Sequence, residues 1–379
     1  MKTNIAAILL FWFAACMCLS AQNVNSGFVH NGVNRTYIIH LPPTYTPNSQ
    51  MPLVIVLHGL GDSGNGIMLG TGFNMAADTA GFIAVYPDAV DALFGAAAWN
   101  SGANPFGSAD DVGFISALID TMYAQYHIDQ NRVYATGFSM GGIMSHRLAC
   151  ELSNRIAAIA SGSGTFATSV IGNCSPGRSV PVMHVHGTAD SVVPYDGNTL
   201  LGLQSVGATI NFWVTNNNCA LTAPASTPVA NTANDGITID KTEYDLCSNN
   251  SEVILYTATG MEHTWLQPNN DMSETAEIWK FFLRHQLNEQ TVGIELGQPP
   301  LALQYYPNPA IDNLTVKVNF PNAHYLKLLN AAGQTVYQQV LTGNAQTVNI
   351  NTSGLMPGLY LLQIQQASRL NTVKIQIGQ

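Results

Sequence analysis

The sequence predicts a large α/β domain built on a mostly parallel sheet, followed by a small C-terminal all-β sandwich. Two observations support this prediction. Over residues 22–287, short apolar runs alternate with helix-like segments, a pattern typical of parallel strands covered by helices on both faces. From residue 304 to the end, short alternating runs are separated by turn residues, a pattern typical of a β-sandwich.

The strands of the first domain are short runs rich in apolar residues. Residues 53–57 (LVIVL) are apolar throughout, as expected for a strand that is buried on both faces. We expect strands at residues 35–41, 53–57, 82–86, 132–135, 156–160, 180–185 and 253–256. Helices are predicted between them, at residues 74–80, 110–126, 140–152, 200–216 and 273–286.

Residues 288–303 show no periodicity and contain Gln298-Pro299-Pro300, so we interpret them as a linker. The sandwich that follows, residues 304–379, has six predicted strands. They lie at residues 314–318, 325–329, 334–340, 347–350, 359–365 and 372–377.

The charge pattern narrows the choice of partners. The formal net charge is −10 and only 9% of the residues are charged. No Lys/Arg cluster is visible along the chain, and nucleic-acid binding depends on such clusters. We therefore expect no nucleic-acid partner.

The N-terminus has the pattern of a secretion signal. Lys2 precedes an apolar run at residues 5–19, and this run is shorter than the ~20 residues of a membrane span. We predict a signal peptide at residues 1–21.

Four cysteines remain after the predicted signal peptide, and an even number in an exported chain suggests two disulfides. Three pairings are open and the nearest-neighbour one is favoured, with free thiols as the alternative; these cysteines are Cys150, Cys174, Cys219 and Cys247.

A Gly-x-Ser-x-Gly motif occupies residues 137–141 (GFSMG). It follows a predicted strand and precedes a predicted helix, the strand–turn–helix setting in which a serine is held on a sharp, exposed turn. The N-terminus of that helix favours negative charge developing beside the serine. We therefore predict Ser139 as a nucleophile. The alternative is a glycine-rich turn without chemistry.

A serine hydroxyl reacts readily only when a base accepts its proton. His263 is the candidate base, because it lies in a loop (GMEHTW, 260–265) after the last predicted strand of the first domain. A chain order of serine, acid and then histidine suits this position. His184 lies within a predicted strand, and His146 and His285 lie on predicted helices, so they are weaker candidates.

The acid of such a triad should follow a later strand. Asp190 ends the segment HGTAD (186–190), at the carboxyl end of a predicted strand. A carboxylate there can orient the imidazole and stabilise its protonated form. Asp196, in the segment PYDG (194–197), is the competing candidate.

Attack of a serine on a carbonyl group leaves a negative charge on the carbonyl oxygen, and two backbone N–H groups are needed to stabilise this oxyanion. We assign them to Met140, directly after the serine, and to Leu60, in the loop LHGLG (57–61) after the central strand. His58 is expected to brace that loop. No Cys/His cluster has the spacing of a metal site, so we expect neither metal nor cofactor.

Four segments together carry a family resemblance: LHGLGDS (57–63), GFSMGG (137–142), HGTAD with VPY (186–195) and GMEHTW (260–265). They resemble the secreted polyhydroxybutyrate depolymerase/feruloyl esterase family over about residues 25–287. The resemblance implies an α/β-hydrolase fold and a serine carboxylic-ester hydrolase that forms an acyl-enzyme. The segment DDVGF (110–114) also resembles this family, and we expect Asp111 to cap the helix that follows it.

The tail resembles the C-terminal sorting domain of the type IX secretion system. The resemblance rests on YPNP (306–309), NAAGQ (330–334), GLY (358–360) and VKI (373–375). It implies export by that secretion machinery, followed by release or attachment to the cell surface. A generic carbohydrate-binding sandwich is the alternative.

The family resemblance leaves the substrate open. A feruloyl or acetyl ester of a plant polysaccharide is favoured, a polyhydroxybutyrate or other polyester comes second, and a peptide substrate is less favoured. The aromatic residues Trp99, Tyr195 and Trp265 either line the substrate cleft or pack in the core. A non-catalytic adhesin or binding protein on the same fold is the alternative from another class.

Overall fold

The computed structural model describes residues 21–93, 95–103, 108–220, 225–287, 304–318, 323–330, 334–341, 346–366 and 369–378. The chain divides into two compact units, residues 1–289 and 290–379. The predicted linker at 288–303 and the first twenty residues of the predicted signal peptide lie outside the described residues. No helix among the described residues is long and apolar enough to cross a membrane.

The described residues of the first unit form twelve strands. In chain order they are β1 (Gln22–His30), β2 (Val33–Leu41), β3 (Leu53–Leu57), β4 (Ile83–Pro87), β5 (Asp91–Leu93), β6 (Ala96–Ala98), β7 (Val133–Phe138), β8 (Ala158–Gly162), β9 (Val182–Gly187), β10 (Ala225–Pro228), β11 (Thr238–Tyr244) and β12 (Val253–Thr259). Strands β5 and β6 pair with each other, and the other ten form one sheet.

The ten-stranded sheet has a parallel centre and antiparallel edges. Its order is β1-β2-β4-β3-β7-β8-β9-β12-β11-β10, and the six strands from β4 to β12 run parallel. Every residue of β3, β4, β8 and β9 is buried, as the apolar runs in the sequence predict. The carboxyl ends of the parallel strands therefore meet at one edge, where α/β sheets bind ligands.

Within the described part of this unit, seven α-helices accompany the sheet. They are α1 (Gly64–Thr71), α2 (Phe73–Ala80), α3 (Asp111–Tyr126), α4 (Met140–Glu151), α5 (Thr168–Ile171), α6 (Val206–Asn216) and α7 (Glu274–Phe282), and a 3₁₀ turn spans Ser248–Asn250. Two separate buried clusters show that helices cover both faces: α3, α4 and α6 contribute to one cluster and α1, α2 and α7 to the other. The fold is that of an α/β-hydrolase, as predicted.

Helix α6 is shorter than the sequence predicts. It begins at Val206 rather than at residue 200, because Ser205 caps it by accepting the N–H of Ala208. The preceding residues form a turn in which Asn198 and Leu203 exchange both backbone hydrogen bonds, at 3.0 and 2.8 Å.

The expectation that Asp111 caps α3 is wrong. The cap is Asp110, whose side chain accepts the N–H of Gly113 at 2.9 Å. Asp111 instead forms a buried ion pair with Arg35 at 2.6 Å, and both side chains are 1% exposed or less. Its other oxygen accepts the N–H of Asn100 at 2.6 Å, so this pair links β2, α3 and the segment after β6.

Both disulfides follow the nearest-neighbour pairing. Cys150 at the end of α4 bonds to Cys174, and Cys219 after α6 bonds to Cys247. Each bridge ties the end of a helix to a loop that carries little regular structure, so the bridges restrain segments that the sheet does not hold.

The second unit is a small antiparallel sandwich, as predicted. One sheet has the order β13-β14-β17 and the other β16-β15-β18-β19. Alternate apolar residues from both sheets form a common buried core. The strands are β13 (Gln304–Tyr306), β14 (Asn313–Val318), β15 (Ala323–Leu329), β16 (Thr335–Val340), β17 (Gln346–Asn351), β18 (Gly358–Gln366) and β19 (Arg369–Ile377).

The buried pair between Arg35 and Asp111 gives a stability prediction. Replacing Asp111 by alanine leaves the Arg35 guanidinium uncompensated, so we expect a loss of about 3–5 kcal/mol of unfolding free energy. Lys280→Ala removes an exposed ion pair with Glu277 and should cost less than about 1 kcal/mol. Urea denaturation measures both changes, and similar losses in the two variants would contradict the prediction.

Candidate active site

Ser139 lies in the turn between β7 and α4, at the carboxyl edge of the sheet. Its backbone has φ 55° and ψ −119°, a region that residues with a side chain rarely occupy. The N–H of Ser139 donates to the Gly162 carbonyl at 2.8 Å, and its own carbonyl accepts the N–H of Ile143 at 3.0 Å. These bonds hold the strained turn, and the half-buried Ser139 side chain remains accessible.

The turn requires glycine at position 141. A Cβ at Gly141 would overlap the carbonyl group of Leu57, the last residue of β3. The first turn of α4 therefore packs directly against the end of the central strand. This close approach aims the N-terminus of α4 at the carboxyl edge of the sheet.

The structure pairs His263 with Asp190. The Nδ1 atom of His263 donates to Oδ2 of Asp190 at 2.7 Å. The other carboxylate oxygen accepts the N–H groups of Val192 and Val193 at 2.9 and 2.8 Å. Because Nδ1 carries the proton, Nε2 of His263 is left as a proton acceptor. His263 is half-buried, and the Asp190 side chain is fully buried.

Asp190 is charged despite its burial. Burial by itself raises the pKa of a carboxyl group, but the hydrogen bonds from His263, Val193 and Val192 outweigh it and lower the pKa of Asp190. The group therefore presents a fixed negative charge to the imidazole over the whole range above its lowered pKa.

The loop that carries His263 is tied to the turn that carries Asp190. The N–H of Ala189 donates to the Met261 carbonyl at 3.1 Å, and the N–H of Gly260 donates to Oγ1 of Thr188 at 3.0 Å. These bonds continue the parallel pairing of β9 with β12 beyond the sheet. The adjacent strands therefore bring the two side chains together.

Phe138 links the turn of Ser139 to His263. Its ring centroid lies 4.7 Å from that of His263, so the residue before the serine packs against the imidazole. No hydrogen bond joins Ser139 Oγ to His263 among the described residues. Such bonds are often long in a free enzyme and tighten when substrate binds.

The loop after β3 lies beside Ser139. A Cβ at Gly59 would be 3.4 Å from Cβ of Ser139 and 3.9 Å from its Oγ. His58 braces this loop as predicted: its Nδ1 donates to the Gly59 carbonyl at 2.7 Å, and its Nε2 accepts the N–H of Ala89 at 3.0 Å.

The two N–H groups assigned to the oxyanion are available. Leu60 N–H donates to no other described residue. Met140 N–H is in the first position of α4, where a helix leaves its amides without an internal partner. Such donors stabilise negative charge on an oxygen bound above Ser139.

The structure favours the packing alternative for both tryptophans. Trp99 is completely buried and its indole N–H donates to the His58 carbonyl at 2.9 Å, so it supports the loop after β3. Trp265 is 7% exposed and donates to Oγ1 of Thr275. Tyr195 is half-buried with its hydroxyl 3.1 Å from Oγ1 of Thr257, and it remains a candidate for the cleft.

The competing acid and bases lie elsewhere. Asp196 is exposed, whereas Asp190 holds the imidazole. Nε2 of His285 lies 2.8 Å from Oε1 of Glu252, so its hydrogen-bond partner is not Ser139. His146 accepts the indole N–H of Trp213 at 3.0 Å, and His184 is completely buried. Burial lowers the pKa of His146 and of His184, so both rings are neutral at ordinary pH.

His186 lies beside Asp190 but was not among the residues predicted for the site. Its Nε2 donates to the Val193 carbonyl at 2.8 Å and lies 3.5 Å from Oδ2 of Asp190. Its Nδ1 then accepts from Nε2 of His184 at 3.1 Å. The signal was present in the HGTAD segment, but it does not show that the ring turns back toward the aspartate.

Ser139 in a strand–turn–helix, Asp190 after β9 and His263 after β12 have the arrangement that is typical of α/β-hydrolases. Two family models match this chain, and the first agrees with the α/β-hydrolase class. Residues 46–201 match the model of the Phospholipase/Carboxylesterase family. Residues 304–378 match the Secretion system C-terminal sorting domain, which supports secretion or surface attachment.

Curated relatives narrow the class. The chain is 31% identical to feruloyl esterase D of Neurospora crassa over 268 residues, covering 67% of this chain and 83% of that protein. It is 32% identical to feruloyl esterase B of Piromyces equi over 238 residues, which is 60% of this chain and 42% of that protein. It spans less than half the length of several curated relatives, feruloyl esterase B among them.

A solved acetyl xylan esterase from Aspergillus awamori shares the fold. It superimposes with a TM-score of 0.51 at 17% identity and covers 69% of this chain and 99% of that one. The chain belongs to the feruloyl esterase family of α/β-hydrolases.

The close approach at Gly141 gives a prediction with a matched control. Alanine is intrinsically better than glycine in a helix, so Gly70→Ala in α1, where the added methyl meets open space, should stabilise the protein by up to about 1 kcal/mol. Gly141→Ala should instead cost at least about 1–3 kcal/mol, because the methyl overlaps backbone. Thermal unfolding followed by circular dichroism measures both; a stabilising Gly141→Ala would contradict the packing described.

Proposed function

We propose that this protein is an exported serine esterase that hydrolyses carboxylic esters through an acyl-enzyme. The observation that carries the proposal is the 2.7 Å bond between His263 and Asp190, at the sheet edge where Ser139 occupies its strained turn. Membership of the feruloyl esterase family supports the same reaction.

The first half of the reaction acylates the serine. Oγ of Ser139 attacks the ester carbonyl carbon while Nε2 of His263 takes the hydroxyl proton. Asp190 stabilises the imidazolium that forms. The carbonyl oxygen becomes an oxyanion that accepts the N–H groups of Leu60 and Met140. His263 then gives its proton to the leaving alcohol, and the acyl group stays on Ser139.

The second half releases the acid. A water molecule gives a proton to Nε2 of His263 and attacks the acyl carbon, which forms a second oxyanion at the same two N–H groups. Collapse of this intermediate returns the proton to Oγ of Ser139. The residues therefore end in the state in which they began, and no cofactor takes part.

We propose a feruloyl or acetyl ester of a plant polysaccharide as the substrate. The names of the relatives support this choice, because they include feruloyl esterases and an acetyl xylan esterase. Tyr195, half-buried near the Asp190 turn, is the aromatic residue we assign to the cleft. A polymer too large to enter the cell suits an exported enzyme. Polyhydroxybutyrate or another polyester is the second choice.

We assign export to the two ends of the chain. Residues 1–21 act as the signal peptide, and residues 304–379 act as the sorting domain that the type IX secretion machinery recognises. The match of residues 304–378 to a sorting-domain family supports the second assignment. Residues 288–303 serve as the linker between the esterase domain, residues 22–287, and this sorting domain.

Removal of the nucleophile tests the enzyme class. Ser139→Ala should lower kcat for p-nitrophenyl acetate by about 10⁵–10⁶-fold, because no other hydroxyl takes over the attack. The assay follows nitrophenolate release at pH 7. Equal rates in the variant and the wild type would leave a non-catalytic binding protein as the better explanation. Release of ferulate, acetate or hydroxybutyrate from the matching polymers by the wild type then ranks the substrates.

The two candidate acids form a matched pair of variants. Asp190→Asn keeps the shape but loses the charge and favours the wrong imidazole tautomer, so kcat should fall by about 10⁴-fold. Asp196→Asn, on the exposed side of the same loop, should leave kcat within about twofold. A larger loss in the Asp196 variant would reverse the assignment of the acid.

A further inference from the structure

A buried carboxyl group outside the proposed triad holds the loop of His263. Glu274 is the first residue of α7 and is 1% exposed. Its N–H donates to the Leu266 carbonyl at 3.1 Å, and its Oε2 accepts the N–H of Leu266 at 3.0 Å. Leu266, three positions after His263, therefore has both its N–H and its carbonyl bonded to Glu274, the first to the side chain and the second to the backbone.

The second oxygen of Glu274 faces the support of Ser139. Oε1 is buried and has no hydrogen-bond partner among the described residues. A Cβ at Gly162 would lie 2.5 Å from this oxygen and 2.8 Å from the Trp265 ring, so the carboxyl group packs against Gly162. The Gly162 carbonyl is the group that accepts the N–H of Ser139. Glu274 thus lies between the backbone that holds Ser139 and the backbone that carries His263.

The described groups around the Glu274 side chain include no positive charge that could balance an ionised carboxylate. Its carboxyl group meets Gly162 from β8 and Leu266 from the loop, and the Trp265 ring packs on the same side of Gly162. Trp265 donates to Thr275 on α7, which in turn bonds to Thr71 at the end of α1. None of these groups is charged.

The charged side chains on α7 and on the loop of His263 have other partners. On α7, Glu277 and Lys280 pair with each other at 2.6 Å, and Glu277 also accepts the hydroxyl of Tyr256. On the loop, the titratable residues are Glu262 and His263. Glu262 is exposed and accepts the hydroxyl of Ser191 at 3.5 Å, and His263 bonds to Asp190. Burial raises the pKa of Glu274 to about 8, which the N–H of Leu266 only partly opposes. At pH 7 this raised pKa favours the neutral form of Glu274.

We propose that Glu274 is a positioning residue for the proposed esterase. It bonds to Leu266 in the chain that carries His263 and packs against Gly162, which holds Ser139, and so it fixes the two side chains relative to each other. Loss of its proton places an uncompensated charge between the two supports, and hydration of that charge requires the loop at 263–266 to move away from β8. Activity then falls as Glu274 ionises. The inference rests on the proposed function, because the readout is ester hydrolysis.

The test compares the pH profile of the wild type with that of Glu274→Gln. Glutamine keeps the shape and can still accept the N–H of Leu266, but it cannot ionise. We measure kcat/KM for p-nitrophenyl acetate between about pH 6 and pH 10 and subtract the rate of Ser139→Ala as the background. The matched control is Glu277→Gln, one turn further along α7 and partly exposed.

The wild type should lose kcat/KM above about pH 8, and Glu274→Gln should move this loss upward by at least about one pH unit. Glu277→Gln should keep the wild-type profile. A wild-type profile that stays level to about pH 9.5, or a Glu274→Gln profile that coincides with it, would overturn the role of Glu274 and leave the esterase intact. A wild type no faster than Ser139→Ala would overturn the proposed function and this inference together.

The stability of the same variants provides a readout that does not depend on turnover. A carboxyl group whose pKa is raised on folding stabilises the fold fully below its unfolded pKa, and this contribution is lost as the pH rises to the folded pKa. The melting temperature of the wild type should therefore fall relative to Glu274→Gln between about pH 5 and pH 8, and stay parallel above that range. Parallel curves over the whole range would show that Glu274 is ionised in the fold and would overturn its role as a neutral acid.

Discussion

The close approach of α4 to the end of β3 is the constraint on which the site depends. Because Gly141 packs on the Leu57 carbonyl, the chain must leave β7 through a turn so sharp that Ser139 takes a positive φ. That turn is held by the Gly162 carbonyl on the neighbouring strand. Strain of this kind persists only where surrounding structure over-determines it. Here a central strand buried along its whole length supplies the support.

The buried polar groups around the site divide into one charge and several neutral partners. Asp190 is ionised because three hydrogen bonds reach it, whereas burial lowers the pKa of His146, His184 and His186 and leaves their rings uncharged. The negative charge of Asp190 therefore acts mainly on His263, which bonds to it at 2.7 Å, whereas His186 lies 3.5 Å away. A separate buried ion pair, Arg35 with Asp111, holds the segment after β6.

The central strands and most helices were predictable because burial on both faces leaves continuous apolar runs and helical periodicity in the sequence. The edges were not. Strand β1 is largely exposed and polar, and β11 buries one side chain, Ile239, while it pairs with β10 and β12. Helix α1 contains three glycines among eight residues, so its propensity is low and packing against the sheet decides it. The predicted start of α6 was wrong because Leu200 and Leu201 belong to a hydrogen-bonded turn.

The sequence alone predicted Ser139, Asp190 and His263 as the reacting residues and gave their order, since the setting of each is local: each follows its own strand. It also determined the two-part architecture, because the change from helix-like to strand-like periodicity is visible without coordinates. Only the tertiary structure decided which side chains are buried, because burial depends on segments far apart in the chain. It placed Trp99 beneath the loop after β3, replaced Asp111 by Asp110 as the helix cap, and turned Glu274 from an ordinary first-turn acid into a buried carboxyl group between two supports of the site.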